Sequence, residues 1–235
     1  MKTTEIIKEL KSLGSQSIKN VLLKHGAKEP FFGVKIEDLK KLSKKIKGNH
    51  ELAMELYDTG IYDAMYLAGI VADGKKMSKK DLERWAENAN AKGISEYTVA
   101  WVASESKFGW ELALKWIESK KENIATSGWS TLGAIASINP DESLDIKMYK
   151  TLLDRVGKTI HQAPNRVRHT MNGFIISTGA YIIELTAYAK EIGKKIGPVY
   201  VDMGDTSCKV PSAVEYIDKI NARGAIGKKK KTVKC

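Results

Sequence analysis

At 235 residues and 43% hydrophobic composition, the chain is long enough for one or two domains with a real core. No run reaches the ~18 apolar residues of a membrane span, Met1–Leu10 lacks a signal-like apolar stretch, and Cys208 and Cys235 build no disulfide framework, so a cytoplasmic protein is expected. The net charge of +11 is concentrated at the ends, with twelve lysines against five acids in residues 1–47 and six basic groups and no acid in residues 221–235, a pattern that suits a polyanion such as nucleic acid.

The dominant period along the chain is helical. Ile6, Leu10, Ile18, Val21 and Leu22 predict two short helices broken near Gly14. EPFFGVKIEDLKKLSKKIK, Glu29–Lys47, predicts a turn at Gly33 followed by a helix. There Ile36, Leu39, Leu42 and Ile46 form one apolar stripe, while Lys35, Lys40, Lys41, Lys44, Lys45 and Lys47 are left for solvent or a ligand. Further helices are predicted over 50–58, 61–72, 78–90, 95–106, 108–119, 121–137, 144–157, 163–177, 179–192 and 211–222. Gly60, the DGKKMS turn at Asp73–Ser78, Gly93 and the NPDES break at Asn139–Ser143 punctuate them. Ser78 followed by Asp81 is a relative of the capping box.

GPVYVDM, Gly197–Met203, is the one stretch with extended character, and it is too isolated to build a sheet. An all-α fold is therefore expected. Short helices with tight links point to a solenoid of HEAT-like (armadillo-type) repeats, with a globular bundle as the alternative. One domain over residues 1–226 and a mobile basic tail over 227–235 complete the expected organisation.

Guanidinium groups suit phosphate, which singles out Arg166 and Arg168 at the start of the helix after Pro164, where free backbone N–H groups would assist. His161 and His169 have no companions at metal-ligand spacing, and no metal is expected. Neither a Walker nor a Rossmann spacing occurs, so no nucleotide cofactor is expected, nor any other. Trp85, Trp101, Trp110, Trp116 and Trp129 read first as packing volume. In VDMGDTSCKVPSA, Val201–Ala213, two readings stand: a carboxylate–cysteine–lysine site built on Asp202, Asp205, Cys208 and Lys209, or an Asp/Thr turn with Cys208 tucked against the core and a capped helix starting near Pro211. Asn172 meets this loop only if the tertiary fold brings it there. The GKKKKTVKC end offers non-specific phosphate neutralisation, and no apolar anchor adjoins it for a membrane surface.

PFFGVKIEDLKKLSKKIK resembles the early signature of the DNA alkylation repair family, the HEAT-like glycosylases typified by AlkD, in which an aromatic-Gly-Val turn leads into a basic helix. The likeness extends more weakly through most of the chain, including the pattern around Arg166, Arg168 and His169. It implies a curved solenoid holding double-stranded DNA, as a monomer. Its enzymatic members excise N3- or N7-alkylated purines, which are already cationic leaving groups. An aspartate with nearby tryptophans and an arginine from another helix serve the positive charge that develops on the sugar.

Carried over residue by residue, the relatives' tryptophan and aspartate fall on Glu96 and Ala100 in ISEYTVAWVA, their arginine near Gly128, and their later tryptophan near Gly173. Alanine carries no charge. Tyr97, Trp101, Trp129 and Phe174 lie close enough to supply aromatic surface, with Trp101 and Trp129 toward the DNA. Glu96 is a displaced carboxylate, and Asp202 and Asp205 are the other acids available for catalysis. The resemblance thus implies a DNA-binding protein associated with alkylation repair and lacking glycosylase activity. A glycosylase with rearranged residues is the alternative, and a helical protein-interaction scaffold is the third reading.

Overall fold

The computed structural model describes residues 1–234; Cys235 lies outside the described residues. Thirteen α-helices, one π-helix and several single-turn 3-10 segments make up its regular structure, with no β-strand among the described residues. The fold is all-α, a HEAT-like helical-repeat solenoid in class. It separates into two compact units, Met1–Leu112 with Met203–Ser207 and Lys234, and Ala113–Asp202 with Cys208–Val233.

In the first unit the helices are α1 (Thr3–Leu13), α2 (Gln16–Lys24), α3 (Ile36–Lys45), α4 (His50–Asp58), α5 (Tyr62–Val71) and α6 (Lys79–Asn88). A π-helix (Ile94–Val99) then runs directly into α7 (Ala100–Ser104). Helix α4 packs on α5, and α5 packs on both α3 and the π-helix. Tyr57 stacks on Trp85 at 3.9 Å, and its hydroxyl donates to the Trp85 carbonyl at 2.6 Å, so the burial of both rings leaves this phenol satisfied.

The predicted turn at Gly33 has a specific construction. The carboxylate of Asp63, 1% exposed, accepts from the backbone N–H groups of Phe32 at 2.6 Å, Gly33 at 3.4 Å and Val34 at 2.8 Å. Gly33 sits at φ +77°, and a Cβ there would come within 2.7 Å of Lys19 N and Ser15 O. Only glycine fits both demands. The aromatic-Gly-Val signature is thus a backbone bend stapled by a buried acid, and it launches α3.

Two apolar positions depart from the expected pattern. Ile36 is 48% exposed, because it opens α3 beyond the turn, and only Leu39, Leu42 and Ile46 carry the stripe inward. Helix α2 buries no residue, and Val21 is 47% exposed.

At α6 the capping box is complete. Asp81 N donates to Ser78 Oγ at 3.1 Å, and Ser78 N donates to Asp81 Oδ2 at 3.3 Å. Burial alone would raise the Asp81 carboxyl, but hydrogen bonds from Ser78 and Arg84 more than offset it, and its pKa is lowered. A lowered carboxyl contributes stability at neutral pH that is lost as pH falls through its folded value. Ser78→Ala is expected to cost about 1 kcal/mol in chemical denaturation at pH 7, and less once Asp81 is protonated.

Helix α8 (Gly109–Trp116) spans the boundary of the two units. In the second unit the helices are α9 (Glu122–Ile138), α10 (Ile146–Thr159), α11 (Asn165–Tyr181), α12 (Thr186–Ile196) and α13 (Ala213–Ala222). Helix α9 packs on α11 and α11 on α13, while α10 packs on α12. This alternation is the two-layer logic of stacked helix pairs. Its core centres on Trp129 edge-to-face with Phe174 at 5.2 Å, and on Tyr149 stacked on Phe174 at 5.8 Å. The predicted break between 177 and 179 does not occur, because α11 continues to Tyr181. Gly179 is a packing residue: a Cβ there would lie 2.9 Å from Ala189 Cβ and 2.5 Å from Ile217 Cδ1.

Candidate nucleic-acid interface

Helix α3 begins with acids and ends with bases, Glu37 and Asp38 in its first turn and Lys44 and Lys45 in its last, which suits its dipole. Lys35, Lys40, Lys41, Lys44 and Lys45 are all exposed, as predicted from the stripe. They are not equivalent. Lys41 donates to Asp38 at 2.9 Å, which raises its pKa, and Lys45 pairs with Glu9 at 2.7 Å. Lys35, Lys40 and Lys44 have no acidic partner among the described residues, and they are the cations this face can offer to phosphate.

The π-helix holds the acid that the sequence singled out. Glu96 is only 7% exposed, whereas the adjacent Tyr97 is 46% exposed. Tyr97 lies over Trp101 at 5.8 Å, Trp101 meets Tyr66 edge-on at 5.3 Å, and Tyr66 stacks on Tyr62 at 6.2 Å. Burial pushes the Tyr62 hydroxyl far up, and Asp63, Tyr97 and Glu96 add to the shift. The cluster is therefore acidic at its base and aromatic at its mouth. Trp101, 6% exposed, is sealed beneath Tyr97, so the aromatic face open to a ligand belongs to Tyr97. A π-turn inserts an extra residue per turn, and this local register shift is invisible to a 3.6-residue reading of ISEYTVAWVA.

The resemblance places the aspartate on a buried methyl group and the arginine near a glycine. Ala100 is 1% exposed. At Gly128 a Cβ would stand 2.8 Å from the backbone nitrogen of Ile117, so the close approach of α9 to its neighbour excludes any side chain. Gly173 differs, since a Cβ there would meet nothing within 4 Å. Trp129 is 1% exposed with the Arg155 guanidinium 5.8 Å from its ring centre, so it serves the core and presents no face for stacking.

At the start of α11 the predicted anion position is already filled from within. Glu122 Oε1 accepts from Arg166 N at 2.7 Å, so a carboxylate of α9 occupies the helix terminus. Arg166 Nη2 lies 3.1 Å from His169 Nδ1, and Arg168 keeps its Nε buried without a partner. Both side chains are half-buried. Glu122 carried no signal of this role in sequence, because the contact bridges 44 positions.

Asp202 and Asp205 are both exposed. Asn165 pins the backbone of Asp202 from both sides, at 2.9 and 2.7 Å. Asp205 pairs with Lys24 at 3.4 Å. Cys208 is exposed, whereas the turn reading placed it against the core. Asn172 does reach the loop, its Nδ2 donating to Pro211 O at 3.0 Å.

The basic C-terminal stretch, expected to be mobile, is anchored by several of its lysines. Lys229 Nζ donates to Ala136 O at 2.8 Å and pairs with Asp141 at 2.7 Å, at the carbonyl end of α9. Lys230 lies 5.3 Å from the Tyr181 ring centre. Lys234 pairs with Glu105 at 2.8 Å and reaches Ala72 O, at the carbonyl end of α5. Helix C-termini attract such cations, which removes them from the pool available to phosphate. Among the described residues no cluster of three or more acidic, histidine or cysteine groups could hold a metal, and no helix is long and apolar enough to cross a membrane.

Comparison with known proteins agrees with this architecture. A family model described as DNA alkylation repair enzyme matches residues 6–182. The uncharacterized protein Lin0241 of Listeria innocua is 34% identical over 221 residues, 92% of this chain and 95% of that protein. The uncharacterized protein Lmo0209 of Listeria monocytogenes is 33% identical over the same shares. A solved structure superposes with a TM-score of 0.91 at 38% identity, covering 100% of both chains. That protein is described as belonging to "a new family of proteins related to the HEAT-like repeat DNA glycosylases with affinity for branched DNA structures". The chain belongs to the DNA alkylation repair family, on the all-α scaffold of the HEAT-like repeat DNA glycosylases.

Proposed function

We propose that this protein binds double-stranded DNA, with a preference for branched forms, and does not excise bases. The observation that carries the reading is Ala100, a buried methyl group where the resemblance places the carboxylate that stabilises the developing sugar cation. The tight packing at Gly128, which leaves no space for an arginine, supports it. Lys35, Lys40 and Lys44 supply unpaired cations for the phosphate backbone, and Tyr97 supplies an open aromatic face. The affinity for branched DNA described for the solved relative motivates the substrate preference.

Incubating purified protein with duplexes carrying N3- or N7-alkylated purines is expected to release no free base above the uncatalysed rate. In the same preparation, a four-way junction should bind more tightly than a linear duplex of equal length. Sustained base release overturns the non-catalytic reading, and failure to bind any duplex at low salt overturns DNA binding and favours a protein-interaction scaffold.

One observation favours the second reading, a glycosylase with displaced residues: Glu96 lies buried beside the Tyr97–Trp101 pair. Base release abolished by Glu96→Gln and retained in Asp202→Asn and Asp205→Asn would establish it.

A further inference from the structure

The second unit contains a cavity of about 630 Å³ between residues 197–201, residues 208–212, the end of α12 and the start of α13. Its size falls in the range of small-ligand sites, about 300–1,000 Å³. Its lining combines valines and prolines with a few polar groups. Asn172 is the deepest of these, at 2% exposure. Its Nδ2 is fixed by the Pro211 carbonyl, which settles the orientation of the amide and turns Oδ1 the other way. That oxygen accepts no hydrogen bond among the described residues, and Asn172 lines the cavity. A buried amide oxygen without a hydrogen bond, on a residue that lines a cavity, is an acceptor waiting for a donor.

The rest of the lining defines what that donor belongs to. Tyr200, 77% exposed, presents an aromatic face. Lys194 and Lys209 are exposed and have no acidic partner among the described residues. Helix α13 opens here: among the described residues Ser212 Oγ accepts from Glu215 N, and the N–H groups of Ala213 and Val214 make no backbone hydrogen bond. Glu215 is the one acid of the lining, and the two lysines outweigh it. An apolar slot with an aromatic wall, a deep acceptor and a cationic rim matches a planar heteroaromatic group bearing an N–H and an attached anion.

We infer that this cavity binds a nucleotide, its base stacked on Tyr200 and donating to Asn172 Oδ1, its phosphate held by Lys194, Lys209 and the start of α13. Two sources share this chemistry: a free mononucleotide, or an unpaired nucleotide of a DNA strand. The second source rests on the DNA-binding proposal and the first does not.

The test uses 2-aminopurine fluorescence with the full chain and two probes: free 2-aminopurine deoxyribonucleoside monophosphate, and a duplex with one bulged 2-aminopurine. Saturable quenching of at least one probe is expected. Tyr200→Ala, at an exposed position that should not disturb folding, is expected to weaken it about tenfold, and Tyr200→Phe to restore it. Lys194→Ala with Lys209→Ala should weaken it further at low salt than at high salt. Quenching of the free probe, lost in Tyr200→Ala, supports the site with the free nucleotide as source. Quenching of the bulged probe alone, lost in the same way, supports it with DNA as source. No quenching of either probe, or equal titrations for wild type and Tyr200→Ala, overturns the inference. A fully paired duplex titrated in parallel reports the α3 face, so loss of duplex binding with the free-probe response retained counts against the DNA-binding proposal alone.

Discussion

Asp63→Ala should destabilise the protein by about 3–5 kcal/mol, lowering the thermal midpoint by about 10 °C. The carboxylate is 1% exposed and serves the N–H groups of Phe32, Gly33 and Val34 together. Removing it leaves those donors without a partner inside folded structure, and each unsatisfied buried donor costs about 1–3 kcal/mol, less whatever the bend recovers by relaxing. Asp63→Asn keeps one acceptor oxygen and should fall between the two. The loss reaches function as well, because the bend sets where α3 begins and therefore where Lys35 points. Guanidinium titrations of the three proteins check it, and a difference below about 1 kcal/mol between wild type and Asp63→Ala would show that the bend holds by other means.

Combined replacement of Lys35, Lys40 and Lys44 by alanine should weaken duplex binding on the order of a hundredfold at low salt. Each phosphate neutralised contributes a slope of about −0.9 to log K against log salt, so the triple variant should lose about three units of slope. These three lysines differ from their neighbours in having no acid to release. Lys41 and Lys45 already serve Asp38 and Glu9, so replacing them frees an acid as well as removing a base, and a smaller change in slope is expected. Titrations at two salt concentrations decide the matter. A triple variant with the wild-type slope would mean that DNA lies elsewhere. Stability should be unchanged, since all three side chains are exposed.

Most of the helical framework was legible without coordinates. The stripe of Leu39, Leu42 and Ile46, the box of Ser78 and Asp81, and the helix placed at 50–58 follow from period and capping, which are local. The failures have causes that helical period does not carry. The break expected at Thr178 does not occur, and the adjacent Gly179 is where Ala189 and Ile217 press against α11. ISEYTVAWVA reads as an ordinary helix, and the π-turn inside it changes which aromatic residue faces outward. A glycine needed for a turn and one needed for close packing look the same in a sequence.

The candidate sites show the same division more sharply. Lysine-rich flanks marked the α3 face, but only the folded chain showed which lysines Glu9 and Asp38 neutralise. Arg166 and Pro164 suggested an anion site that Glu122 fills from another helix. The loop at 197–212 drew attention for its acids and cysteine, whereas the structure brings forward Tyr200, Lys209 and the amide of Asn172.

From sequence alone came the helical class, the basic ends and the family likeness, with the alanine onto which that likeness carries the relatives' aspartate, because periodicity, charge and residue identity are properties of short segments. Which charges stay unpaired, which rings reach solvent and which polar atoms open onto a cavity were settled by tertiary contacts. Those depend on partners tens of residues apart, whose meeting no local pattern encodes.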